Sequence, residues 1–350
     1  MPDRPLADRL GAPEVAELPA AHLGLSWRTI TAADLDAVRD LALRCAEVDR
    51  PVSGTGPGSV VDALGPGSVV DALGRGTGDA LGRGTGDALG GFSRAGELEA
   101  VAVVDVPPGA GRVHQAVLVA SLAPQWRGRG IGRALLDWQD GRARQLLAAR
   151  GGQGPARLAA YVDEHHADRR RLYVAAGFSA KRTFHEMRRA VADPVPAAPP
   201  PPDLRIGDLV PALDDAVREV HNAAFADHWG AEPLTAGSWT RLLEAREPAW
   251  SKVALDADGA VVGYAMTCRR PHPRTGAAEG WTELLGVRTD HRGRGVARAL
   301  LAAVLRSLAE DDVATAGLTV DTVEPVGAGA FYEELGYRRE GARILYTIEI

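Results

Sequence analysis

The 350-residue chain carries 40 basic and 46 acidic residues, a net charge of −6, and 45% hydrophobic side chains. At roughly 100–200 residues per domain this length fits two cores, and the mild acidic balance excludes a broadly basic nucleic-acid or membrane-surface binder. Two distant cysteines, Cys45 and Cys268, exclude a disulfide framework and fit a cytoplasmic protein.

Charges interrupt every apolar stretch of residues 1–20, so the start reads as a flexible tail without a signal-peptide core. No later apolar run approaches the ~20 residues of a membrane span. "LSWRTI" (25–30) reads as a short strand. "TAADLDAVRDLALRCAEV" (31–48) follows as an amphipathic helix with Thr31 at its N-cap. Residues 54–91 hold "GPGSVVDAL" twice and then "GRGTGDAL" twice. That period is too short for ordinary structural repeats, and the glycine density does not support a helix or strand interior. A low-complexity mobile insertion is expected there. "RVHQAVLVA" (112–120) precedes "QWRGRGIGRALL" (125–136), a glycine-arginine turn entering an apolar helical pattern.

The proline-rich segment 191–203 reads as a semi-rigid linker. It separates block 21–190 from block 204–350. The second block repeats the order of the first: "DLRIGDLVPALDDAVREVHNAAF" (203–225) supplies a strand and a helix. "SKVALDADGAVVGYAMTCR" (251–269) reads as a hairpin around Asp258-Gly259. "TELLGV" (282–287) runs into a second glycine-arginine turn. Val296, Leu300, Val304 and Leu308 then recur at four-residue spacing, and "AGLTVDTV" and "RILYTIEI" complete a mixed α/β block. Arg127 and Arg292, at equivalent places in the two turns, stand 165 positions apart, which fits a domain duplication.

A strand, a glycine-rich turn and a helix start together aim unpaired N–H groups at one point, a setting for phosphate or pyrophosphate. Neither G-x-x-x-x-G-K-[ST] nor G-x-G-x-x-G fits. No lysine follows either turn, and Arg133 and Arg298 stand where the third glycine of the second pattern belongs.

R-G-R-G-I-G (Arg127–Gly132) and R-G-R-G-V-A (Arg292–Ala297) resemble the [Q/R]-x-x-G-x-[G/A] loop of the GCN5-related N-acetyltransferase (GNAT) family. "RLYVAAGF" (171–178) and "AFYEELGY" (330–337) resemble a second signature of that family, each with a tyrosine, Tyr173 or Tyr332, four positions before a glycine-aromatic pair. The resemblance covers most of the chain. It implies an α/β (α+β) fold of two tandem GNAT domains, each a mixed, mostly antiparallel sheet flanked by helices. It also implies acetyl-CoA as co-substrate, with Arg127, Gly128, Arg129, Gly130, Ile131, Gly132 and Arg133 in one pyrophosphate loop. Arg292, Gly293, Arg294, Gly295, Val296, Ala297 and Arg298 form the other.

In the second block the resemblance makes Glu283 the general base and Tyr332 the acid that protonates the CoA thiolate. The backbone of Leu285, Gly286 and Val287 would bond the pantetheine arm. An amine acceptor must lose a proton before attack and the leaving thiolate must gain one, so both roles are chemically required. The first block has Leu118 at the place of Glu283, with His114 and Gln115 as the nearest polar side chains. It is expected to be degenerate, and the second block catalytic. His228, Trp229 and Glu232 fall by analogy near the acceptor, a small-molecule primary amine. Asp163, His165 and His166 do not make a metal site in this reading, because adjacent histidines are expected to point apart. No metal, nucleic-acid or membrane partner is expected, and the chain is expected to be a monomer or homodimer. A non-catalytic acetyl-CoA-binding sensor or scaffold is the alternative.

Overall fold

The computed structural model describes residues 4–52, 88–106, 113–195, 197–226, 228–229, 233–323 and 328–350. Most of the glycine-rich repeat, residues 53–87, lies outside the described residues. Two compact units are present, and the first draws on both ends of the chain. Unit 1 is Met1–Arg182 with Arg343–Ile350, and unit 2 is Thr183–Ala342.

Unit 1 opens on a short helix, α1 (Leu6–Leu10), where a flexible tail was expected. Leu6 and Leu10 are fully buried in the core. The Leu6 N–H donates to the Gly152 carbonyl at 3.0 Å, and the Arg144 guanidinium donates to the Leu10 carbonyl at 2.6 Å. Leucines four apart present one apolar face even on a single turn. Helix α2 (Leu35–Asp49) starts at Asp34 rather than at Thr31. The Asp34 carboxylate accepts both the N–H and the hydroxyl of Thr31 at 2.8 Å.

Strands β1 (Ser26–Thr29), β2 (Ala88–Phe92), β3 (Leu98–Asp105) and β4 (His114–Leu122) pair antiparallel in that order. Strand β5 (Ala156–Asp163) joins β4 in parallel. Residues Ala88–Gly91, inside the stretch read as an insertion, belong to β2. A Cβ at Gly90 would meet the Ile30 side chain at 2.5 Å, and one at Gly91 the Trp27 ring at 2.4 Å. Glycine is kept in this strand because neighbouring side chains lie across it. Helices α3 (Ile131–Arg150) and α4 (Ala167–Ala175) follow β4 and β5.

Unit 2 repeats this order. Strands β7 (Arg205–Asp208), β8 (Lys252–Leu255), β9 (Val261–Pro271) and β10 (Ala278–Val287) are antiparallel neighbours, and β11 (Thr315–Asp321) joins β10 in parallel. Gly259, with φ of 81°, turns the expected hairpin between β8 and β9. Val296, Leu300, Val304 and Leu308 of α7 (Val296–Glu310) line one core, with α8 (Ala328–Glu334) contributing Phe331 and Tyr332 to its margin. Helices α5 (Asp214–Ala224) and α6 (Ala236–Leu243) cover a second core, built from alternate residues of the same strands.

The last strand of each unit comes from the other half of the chain. Residues Phe184–Ala190 of β6 (Ser179–Ala190) pair antiparallel with β11 in unit 2. Residues Arg343–Glu349 of β12 (Arg338–Glu349) pair antiparallel with β5 in unit 1. The sequence order alone places both strands with the preceding block. Their pairing partners lie more than 120 residues away.

Candidate active site

Both glycine-arginine turns adopt one backbone conformation. Gly128 and Gly130 have φ of 74° and 85°, and Gly293 and Gly295 have 74° and 84°. L side chains are strained there, which is why glycine recurs at the same two places. A Cβ at Gly293 or Gly295 would meet nothing within 4 Å, so the front of the unit 2 turn is open. Val296 opens the 15-residue helix α7 immediately behind, and the free N–H groups of a helix's first turn suit an anion. Ile131 and Val296 point into the cores. Gly132 comes close to Leu172, where a Cβ would stand 3.6 Å away, and Ala297 is half-buried.

The first arginine of each turn serves the fold. Arg127 Nε donates to the Leu122 carbonyl at 3.0 Å, and Arg292 Nε to the Val287 carbonyl at 3.2 Å, stapling each turn to the strand before it. Arg127 also pairs with Asp49 at 2.6 Å, and Arg292 donates to the Ala224 carbonyl at 2.7 Å. Arg294 pairs with Asp203, Arg298 with Glu334, and Arg129 donates to the Gln125 carbonyl. Arg133 is exposed.

Strands β10 and β11 pair from Glu279↔Thr315 to Thr282↔Leu318 and then part. At that point the register of β10 against β9 slips between Thr282 and Leu284, leaving Glu283 on a bulge. Its exposed carboxylate forms an ion pair with Arg270 of β9. Leu285, Gly286 and Val287 stay paired with β9, while their side towards β11 carries no strand pairing. Such an edge offers amide donors and acceptors to an extended ligand. In unit 1, β4 and β5 also part, after Val117↔Ala159, but β4 meets β3 without a slip. Leu118 there is buried in the core, and His114 Nε2 lies 3.0 Å from the Gln153 carbonyl. Gln115 is half-buried on the same strand.

Under Gly286 lies a ring cluster that the sequence reading missed. A Cβ on Gly286 would meet the Tyr264 ring at 2.5 Å, so glycine is required by packing. The Tyr264 hydroxyl lies 2.6 Å from His221 Nδ1, and Phe225 stacks on His221 with centroids 4.7 Å apart. His228 meets Phe225 edge-on, which brings one predicted acceptor-side residue next to this cluster. Trp229 is half-buried beside it in sequence, and Glu232 lies outside the described residues. Asn222 grips both the N–H and the carbonyl of Leu234, fixing the far end of this segment on α5.

Burial pulls the His221 pKa down to about 4. The unfolded chain therefore binds more protons than the folded one between about pH 6.5 and 4, and stability is lost as pH falls through that window. Urea unfolding at pH 5 is expected to show about 2 kcal/mol less stability from this group than at pH 7.5. His221→Gln should remove that difference.

Tyr332 sits on α8, edge-on to Phe331 and Tyr337. Burial pushes its phenol up to about 12, so it carries its proton at neutral pH. Its hydroxyl makes no hydrogen bond among the described residues. The unit 1 counterpart, Tyr173, packs edge-on against Phe178 and stacks on Tyr346.

His165 and His166 do not point apart as expected. Their ring centroids are 4.1 Å apart, and with Asp163 their ligand atoms fall within 4.8 Å of one another. The surroundings favour anions, however. His165 Nε2 lies 2.9 Å from the Asp49 carbonyl, Asp163 accepts the Val52 N–H and faces Arg343, and Arg169 stands beside Asp49. His166 also occupies the N-cap position of α4, whose dipole repels a cation.

The family model described as the acetyltransferase (GNAT) family matches residues 215–337. A mycothiol acetyltransferase from Streptomyces avermitilis is 33% identical over 232 residues, 65% of this chain and 69% of that protein. The chain belongs to the GNAT family. A mycothiol acetyltransferase from Salinispora tropica is 31% identical over 64% of this chain and 70% of its own length. A GCN5-related N-acetyltransferase from Sphaerobacter thermophilus superposes on this GNAT protein with a TM-score of 0.69 at 25% identity, covering 95% and 97% of the two chains. A tandem GNAT protein of the clavulanic acid biosynthesis pathway shares the fold, with a TM-score of 0.62 at 20% identity over 93% and 98%. The protein is an acyl-CoA-dependent N-acetyltransferase of tandem GNAT architecture. Acetyl-CoA is the co-substrate of this fold. No helix among the described residues is long and apolar enough to cross a membrane.

Proposed function

We propose that unit 2 transfers the acetyl group of acetyl-CoA to a primary amine of a small molecule in a ternary complex, in the cytoplasm, and that unit 1 is a degenerate relative. The observation that carries this reading is the parting of β10 from β11 at a bulge that presents Glu283, with an open glycine turn just downstream. Gly293 to Arg298 bind the pyrophosphate through backbone N–H groups. Leu285, Gly286 and Val287 bond the pantetheine arm. Glu283 takes a proton from the acceptor ammonium, directly or through water, and the freed amine attacks the thioester carbonyl. The C–S bond breaks, and the protonated phenol of Tyr332 supplies the proton that the CoA thiolate gains. His228, Trp229 and Glu232 form the acceptor wall. Unit 1 keeps the turn from Arg127 to Arg133, but Leu118 gives it no base.

The relatives' name makes a mycothiol-related amine the first acceptor to assay, followed by amino sugars and small amines. Release of CoA thiol should depend on acceptor in at least one case, and mass spectrometry should show one acetyl group on the amine. Binding of acetyl-CoA with no turnover across the panel would overturn the reading.

A further inference from the structure

On the sheet face away from α7, one row of side chains crosses unit 2. Gly280 points towards α7, where a Cβ would strike Leu308 at 2.3 Å, so its neighbours Glu279 and Trp281 face the other way. Cys268, Trp281, Gly317 and Arg188 are successive partners across β9, β10, β11 and β6. Gly317 leaves room for the Trp281 ring, which a Cβ would meet at 2.5 Å. The Arg188 and Arg270 guanidiniums each lie 5.1 Å from the Trp281 ring centre. Arg188, itself 4% exposed, is locked by Glu279 at 2.9 Å. Arg270 in turn holds Glu283.

We propose that Arg270, seated on Trp281, is a positioning residue that fixes the Glu283 carboxylate at the β10 bulge, beside the point where β10 and β11 part, and that Arg188 of strand β6 fixes this seat. The inference rests on the reading of Glu283 as the base. A planar guanidinium held on an aromatic face offers a fixed fork to a carboxylate. A bulged residue has no ladder partner to orient it, so the fork does so. Glu186, 1% exposed on β6, adds charge near Arg270. It also lies 4.0 Å from Arg188 and accepts the Thr319 hydroxyl.

A double-mutant cycle tests this with steady-state kinetics on the full chain. Arg270→Gln is expected to lower kcat about 10-fold with KM for acetyl-CoA unchanged. Arg270→Lys should recover most of that loss, and Trp281→Leu should lower kcat in the same direction. In a Glu283→Gln background, adding Arg270→Gln should change kcat less than about 2-fold, because the residue acts only through Glu283. Full kcat in Arg270→Gln beside an inactive Glu283→Gln would overturn the positioning role alone, as would multiplicative losses in the double variant. Full turnover in Glu283→Gln would overturn the base reading and this inference with it. If Arg270→Gln fails to fold, the Arg270→Lys and Trp281→Leu pair decides, and unchanged kcat in Trp281→Leu counts against the seat.

Discussion

A chain ending at Ala342 is expected to be insoluble or to lack the cooperative unfolding of unit 1. Removing Arg343–Ile350 strips seven paired residues from β5 and both backbone bonds between Ala156 and Ile350. It also removes Leu345 and Tyr346, which are 1% and 3% exposed. Losing one large buried side chain costs about 3–5 kcal/mol, and a domain holds only about 5–15 kcal/mol. The reciprocal cut has the same logic. Residues 204–350 alone lack β6, so the buried Glu279 loses Arg188, and an uncompensated buried charge costs about 3–5 kcal/mol. Fragments 1–203 and 204–350 should each fail alone and copurify when made together, since each carries the other's last strand. Sedimentation of lysates and thermal melts of the coexpressed pair check this. A stable, monomeric 204–350 fragment would contradict it.

Replacing Gly295 by valine should lower kcat/KM for acetyl-CoA roughly 100-fold, a loss of the size seen when a preorganised N–H donor is displaced. At φ of 84° a β-branched residue is strained, and the turn must move to relieve it. Gly130→Val imposes the same strain on the turn of unit 1, where φ is 85°. If unit 2 alone turns over substrate, Gly130→Val keeps kcat/KM within about 3-fold while its melting temperature falls like that of the Gly295 variant. Equal kinetic losses in the two variants would assign catalysis to both units.

The parts of the fold that were legible are those written locally. The hairpin at Asp258-Gly259 and the two glycine-arginine turns announce themselves through residues a few positions apart, and so does the stripe from Val296 to Leu308. The exchanged strands were not legible, because "RILYTIEI" has the same alternating pattern whichever sheet receives it. Leu6 and Leu10 were missed for a related reason: five residues give too short a window for periodicity to stand out among charges. Glu283 could be found only through the GNAT resemblance, which points to the strand running into the turn. Its partner Arg270 lies thirteen positions back, and its register against β10 fixes the side it faces only once the bulge is known. Tyr264 was hidden in an apolar run whose sequence does not say that its ring covers Gly286.

The exchange of last strands also sets a schedule for synthesis. The β5 edge leaves the ribosome about 180 residues before the strand that closes it, and at ~5–20 residues per second that delay is roughly 10–40 s. During this time an open strand edge is a template for wrong pairing. Arg157 and Asp163 stand at the two ends of that edge, where they later meet Glu349 and Arg343. A second copy laid antiparallel on that edge would set Arg157 against Asp163, so these charges leave the nascent edge open to self-pairing until β12 closes it.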